Sequence, residues 1–454
     1  MKKFVVLLMV LVMGFSVFAN GKTETAPAAA TAAPAEKVQV NWWTHWSGSM
    51  ADPLKEFIAE FNAMQDKYQV NYVYQGTSLD VIGKLQSTQK NELPAMFTGA
   101  TECVGYFADA DFVIPIQEFI DKDPDTNLDP DKLFSISRTG YCDRTGKMIG
   151  YPACNSFPGI YVNLDMFEAA GIDPYTSLDT IEDIYDVCKK MVDGGYAKTG
   201  IGFHSDAYWI AMVLSTQGVP AFDGNDGWTS EVTKCVYNEE PTKSALESLL
   251  GTLQKLYKEG YGIPYGTDIN VELIPRFAAG EFPILQCTTG FYNKIMLAGA
   301  KFKIDLLPLF GCNDDRVHEG VPAGGCGSFI VDNGNPEAQQ GAYEFIKYMA
   351  QPENNARFAM ATGYLPQTQA AVDTPKYQDY LNNTFPAARN ALKTQAEGDG
   401  SIRNPLAPIA NEHKEANAIL ITTITNDPNY NVDKAIDEAT VRLTEAVELF
   451  NLSK

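Results

Sequence analysis

Residues 38–64 read VQVNWWTHWSGSMADPLKEFIAEFNAM, and two periodicities meet in that stretch. Val38, Val40 and Trp42 alternate with Gln39 and Asn41, the period-two pattern of a strand with one buried face. Asp52-Pro53 then offers an N-cap followed by proline at the first helical position. Beyond it Leu54, Phe57, Ile58, Phe61 and Met64 recur at steps of three and four, which draws one apolar stripe along a helix. A half-buried strand followed at once by an amphipathic helix is the building unit of α/β layers.

The alternation continues outward. Residues 70–74 and 96–99 read as strands on either side of a short helix. Ile181, Ile184, Tyr185, Cys188 and Met191 line a helix that Gly194-Gly195 ends. Leu246, Leu249, Leu250, Leu253 and Leu256 line another, ended by Gly260. Pro336 opens a third, and Ile436, Ala439, Leu443, Val447 and Phe450 mark the last. Between these elements, residues 150–152, 320–327 and 362–366 are rich in Gly and Pro, as hinge crossings between two lobes would be. Three crossings make each lobe discontinuous. Residues 38–150 with 318–365 are expected to form lobe 1, and 151–317 with 366–454 lobe 2, around an interlobe cleft.

The chain starts with Lys2 and Lys3, an apolar run over 4–18, and Val17-Phe18-Ala19. That is the pattern of a secretory signal over residues 1–19, cleaved before Asn20. The first cysteine is Cys103, so no N-terminal lipid anchor is expected. Residues 20–37 are Ala-, Pro- and Thr-rich and read as a disordered leader. The expected compartment is therefore periplasmic or extracytoplasmic. Net charge is −22, and two units more negative once the signal lysines are gone. Such a surface repels nucleic acid and anionic membranes.

Chemistry-bearing motifs are scarce. There is no GxSxG, GxxxxGK[ST], HExxH or strand-linked GxGxxG. The 8 cysteines include no CxxC pair and the 4 histidines are scattered, so no metal or cofactor is expected. Cys103, Cys154, Cys287 and Cys326 adjoin candidate cleft positions, as buried small residues or as a disulfide or metal site. Binding features are better represented. Trp42, Trp43, His45 and Trp46 crowd the end of the first strand, where open α/β sheets bind ligands. Trp42 alternates with Val40 and reads as core, Trp46 as a cleft candidate and His45 as structural.

Several segments carry a family resemblance: VNWWTHWSGSM, YPACNSFPGIYVNLDMFEAAGIDP, RFAAGEFPILQCTTG and PENNARFAMATGYLPQT. The chain resembles the extracellular solute-binding proteins of ABC importers, in the sugar-binding class. Within it, TGYLP followed by Arg403 is most similar to the glycerol-3-phosphate binders. The resemblance implies a two-lobe periplasmic-binding-protein fold with a hinge, and a monomer that delivers a small sugar or polyol phosphate to a membrane permease. It implies no catalysis. It places hydroxyl donors to phosphate at Ser156 and Thr288, a backbone N–H at Gly325, and matching residues at Tyr364 and Arg403. Ser78 stands where the relatives have tyrosine. Their acidic residue for glycerol hydroxyls falls at Thr101, beside Glu102. Trp46 and Trp209 complete the candidate ligand contacts. Two other readings remain: a neutral oligosaccharide in the same fold, with the tryptophans stacking on sugar, and a secreted glycoside-active enzyme with a carboxylate pair in the cleft.

Overall fold

The computed structural model describes residues 36–314, 321–322, 324–398 and 400–453. The signal over 1–19, the leader up to residue 35, and Gly320 and Ala323 of one expected crossing lie outside these residues.

Among the described residues, ten strands form two sheets in the body that starts at Lys37. They are β1 (Val38–Thr44), β2 (Tyr68–Tyr74), β3 (Met96–Ala100), β4 (Val113–Ile114), β5 (Tyr151–Ser156), β6 (Pro158–Asn163), β7 (Ile201–Phe203), β8 (Ile284–Thr288), β9 (Ile304–Pro308) and β10 (Gly324–Val331). The first sheet runs β2-β1-β3-β10-β4, with β5 also paired to β10. β1 is parallel to both β2 and β3, and β10 is antiparallel to β3, β4 and β5. The second sheet runs β7-β8-β6-β9.

The opening stretch folds as the pattern requires, with one difference. The helix is Ala51–Met64 with Met50 at its N-cap, so Asp52 and Pro53 lie inside the first turn. A short 3-10 turn, Gly48–Met50, leads straight into the helix and displaces the expected cap. Leu54, Phe57, Ile58 and Phe61 are buried, whereas Met64, the last residue of the helix, is 65 % exposed. Phe61 meets Phe345 edge-on at 5.2 Å, tying this helix to Pro336–Met349 over the first sheet. Each such buried side chain contributes about 1.5–3 kcal/mol.

Two hydrophobic cores divide the body. One gathers β1–β5, β10 and their helices, including Trp42, Phe97, Phe107 and Phe329. The other gathers β6–β9 with helices Ile181–Asp193, Thr242–Lys258, Ala410–Asn426 and Val432–Leu452. The chain passes from the first core to the second at residues 155–157. Tyr151 and Cys154 belong to the first core, Phe157 to the second. The physical reason is pairing: β5 satisfies its backbone on β10 up to Ser156, and β6 starts at Pro158 on β8. Other segments also straddle. Phe358 packs in the first core while its helix neighbours Ala356 and Ala359 pack in the second. Leu406 and Ala410, expected in lobe 2, reach the first core.

Candidate functional site

The two sheets turn strand ends toward one cavity of about 260 Å3. From lobe 1, His45 follows β1, Ala100 ends β3 and Glu102 follows it, Ser78 opens the helix Ser78–Ser87, and Gly324–Cys326 start β10. From lobe 2 come His204 and Asp206 after β7, Gln286 and Thr288 on β8, and Tyr208 and Trp209 at the head of helix Trp209–Gln217. Ser156 and Tyr364 arrive on the crossings. Surface grooves elsewhere are larger, one of about 580 Å3. Chemistry selects the interlobe cavity. Its lining gathers imidazole, indole, hydroxyl and amide groups from both lobes, His45, Ser78, Trp209, Gln286 and Thr288 among them.

Local structure explains the placement. Trp42 Nε1 donates to Thr98 Oγ1 at 3.0 Å, and Thr98 Oγ1 donates to Thr44 Oγ1 at 3.0 Å. This buried chain locks the ends of β1 and β3 and aims His45 outward. Ser78 is held by a capping box, Thr77 with Asp80, at the start of its helix. Gly325 has φ +105°, and a Cβ there would lie 2.5 Å from the Cys154 carbonyl oxygen. Only glycine lets β10 pass that close to β5. Trp209 is fixed by stacking on Phe203 at 5.5 Å and by Phe310 at 6.0 Å. Tyr364 follows Gly363, which ends helix Pro352–Thr362 in the left-handed conformation.

The charged group of the site comes from both lobes. Lys414 Nζ, on helix Ala410–Asn426 of lobe 2, lies 2.6 Å from Glu102 Oε1 of lobe 1. The same ammonium lies 3.4 Å from Asp206 Oδ2. Burial works against its charge, but the Glu102 and Asp206 carboxylates outweigh that and hold the ammonium above its ordinary pKa. Burial lowers the pKa of His45 and of His204, with Glu102 and Asp206 respectively opposing in part. Both rings are therefore neutral near pH 7. Burial likewise raises the Cys326 thiol, whose Sγ is 3.7 Å from His45 Nε2. All eight cysteines are buried free thiols. Among the described residues no cluster of His, Cys, Asp or Glu could hold a metal.

Seven of the nine residues singled out in the sequence meet here: Ser78, Glu102, Ser156, Trp209, Thr288, Gly325 and Tyr364. Two do not. Trp46 is 5 % exposed and packs on Phe358 and Trp42 in the lobe 1 core. The chain turns at Thr44, whose Oγ1 accepts from Trp46 N, and this returns the indole to the core. Arg403 lies outside the lining, its guanidinium 4.3 Å over the Trp228 ring. The loop's backbone is tied down on both sides, with Arg403 O accepting from Ser215 and Asn404 O from Trp228 Nε1. Sequence reading assigned His45 to structure and passed over His204, Asp206 and Lys414. The strand-end rule applied to IGFHSD would have found the middle two. Lys414 has no local signal, because its partners are 312 and 208 positions away.

The chain belongs to the bacterial extracellular solute-binding proteins, whose family description it matches over residues 56–385. A curated relative is the sn-glycerol-3-phosphate-binding periplasmic protein UgpB of Rhizobium meliloti, 22 % identical over 90 % of this chain and 94 % of its own. Among solved structures, UgpB of Mycobacterium tuberculosis in complex with glycerophosphocholine is 18 % identical. It covers 92 % of this chain and 100 % of its own, with TM-score 0.72. The sugar-binding protein MalE of Xanthomonas citri is 16 % identical, covers 91 % and 98 %, and also has TM-score 0.72. These likenesses establish the two-lobe α/β fold. The family and the relatives are binding proteins rather than enzymes. Among the described residues, no helix is long and apolar enough to cross a membrane.

Proposed function

We propose that the protein is the exported, monomeric substrate-binding subunit of an ABC importer. It captures glycerol-3-phosphate or a related sugar or polyol phosphate, leaves it chemically unchanged, and delivers it to the permease subunits. The observation that carries this reading is the lining of one cavity by polar side chains of both lobes, His45, Ser78 and Glu102 from lobe 1 with His204, Gln286 and Thr288 from lobe 2. A hydroxylated solute that hydrogen-bonds to both sets at once does so only while the lobes are apposed, so binding favours closure. The size of about 260 Å3 suits a small polar molecule. Ser156, Thr288 and the Gly325 N–H supply neutral donors of the kind phosphate oxygens accept. The relatives named for glycerol-3-phosphate support the ester.

A neutral sugar is the second reading, favoured by two specific observations. Arg403 is engaged on Trp228, and the lining carries Glu102 and Asp206. Those two carboxylates are also the pair a glycoside-active enzyme would need. Both are ion-paired to the Lys414 ammonium. That favours binding over hydrolysis.

The test is calorimetric titration of the purified protein with sn-glycerol-3-phosphate, glycerophosphodiesters and a panel of neutral sugars. Tight binding of a phosphate ester is expected. Binding of a neutral sugar alone selects the second reading, and no binding across the panel refutes both.

A further inference from the structure

We propose that Lys414 is the positioning residue that couples solute recognition to lobe closure, by holding Glu102 of the opposite lobe in its cavity-facing orientation. The inference rests on the solute-binding reading above and adds to it a residue outside the cavity lining.

Lys414 is anchored firmly in lobe 2. Its neighbours on the helix, His413 and Ala416, are 1 % exposed. His413 Nε2 meets Tyr237 Oη at 2.7 Å, and Tyr237 Oη donates to Asn417 Oδ1 at 2.9 Å. The phenol has one proton, so with Asn417 as its acceptor the histidine is the donor in the first contact. The helix therefore cannot turn to follow a moving partner. Asp206 belongs to the same lobe and sits 3.4 Å from the ammonium, which keeps the lysine aimed at the cleft when the lobes part.

Glu102 belongs to lobe 1, in the turn Thr101–Cys103 that leaves β3. Its side chain is 15 % exposed, against 29 % for Lys414 and 42 % for Asp206. The pair is thus shielded enough to matter, unlike an ion pair on open surface. Of the ammonium's two ion pairs, lobe separation would part the one to Glu102 and keep the one to Asp206. The Glu102 bond thus favours the apposed arrangement, which is how a two-state equilibrium is biased. Glu102 Oε1 is taken up by Lys414, and Oε2 lies 3.4 Å from the neighbouring Thr101 hydroxyl. That fixes the carboxylate at the cavity wall, where it accepts hydrogen bonds from solute hydroxyls.

The experiment uses the full mature chain. Small-angle scattering of the solute-free protein is measured at low and high NaCl for wild type, Lys414→Met, Lys414→Arg and Glu102→Gln. The radius of gyration should rise with salt in wild type, since screening weakens the pair. It should be large and salt-independent in Lys414→Met and Glu102→Gln, and near wild type in Lys414→Arg. Titration with sn-glycerol-3-phosphate and with maltose should show roughly 10- to 30-fold weaker binding for Lys414→Met, for whichever probe wild type binds. Lys414→Arg should stay within about threefold of wild type. The double variant Lys414→Met/Glu102→Gln should be no weaker than Lys414→Met alone. Compact, salt-independent scattering in Lys414→Met, or unchanged affinity, overturns the proposal. If neither probe binds wild type, the solute reading fails while the scattering still decides the coupling.

Discussion

Replacing His413 by Gln should change how the protein responds to acid, and the size of the change follows from its surroundings. The ring is 1 % exposed, faces Phe222 edge-on at 4.9 Å and contacts the Tyr237 hydroxyl. Burial first, and the adjacent Lys414 second, lower its pKa from 6.5 to about 3. Between those values the unfolded chain holds a proton that the native state does not. Native stability is therefore complete above about pH 6.5 and falls as pH drops toward 3. Each pH unit in that window removes about 1.4 kcal/mol, and the whole shift is worth roughly 5 kcal/mol. That is a large part of a typical stability of about 5–15 kcal/mol. Glutamine keeps a donor for Tyr237 but does not titrate. At neutral pH it should cost about 1–3 kcal/mol in lost packing. Urea unfolding followed by tryptophan fluorescence checks this. The gap between wild type and His413→Gln should close between about pH 6.5 and 4.5, and can reverse below that. A gap that stays constant across this range would mean His413 titrates normally, and the reasoning from burial would fail. The comparison between variants matters because Asp226 acts in the opposite sense. Burial raises its carboxyl to about 7, so its contribution is complete below about pH 4 and lost as pH rises to 7.

Asp226→Asn keeps an acceptor for the Ala221 and Phe222 amides and removes that titration, so its stability relative to wild type should rise from about pH 4 to 7; a constant difference across that range would contradict this. Arg403→Ala loses a cation–π contact with Trp228 worth about 0.5–2 kcal/mol, while solute affinity stays within about threefold. Calorimetry that finds a thirtyfold loss would return Arg403 to the ligand. Gly325→Ala forces a side chain onto φ +105° and against the Cys154 carbonyl, costing about 1–3 kcal/mol and weakening binding. A melting temperature equal to wild type would show that β10 yields without strain.

The fold class was legible because periodicity is a local property. Leu246, Leu249, Leu250, Leu253 and Leu256 declare a helix face by spacing alone, and all are at most 1 % exposed. Residues at strand ends and on Gly/Pro crossings were legible for a related reason: in layered α/β folds those positions converge on a cleft wherever the strands point. Ser156, Thr288, Gly325 and Tyr364, which the family resemblance implied, stand at such positions and line the cavity. Placement was not legible where a side chain's direction depends on a turn. Trp46 follows the same strand as His45, yet the bend at Thr44 sends the indole inward and leaves the imidazole at the cavity. Nor was the placement of Arg403 over the Trp228 ring legible, because Trp228 is brought there from 175 positions upstream only by folding. Lys414 shows the limit most plainly. Nothing in EHKE distinguishes it from any solvated lysine. Its role depends on two carboxylates placed by separate sheets, and only the packing of one lobe against the other brings them to a single ammonium.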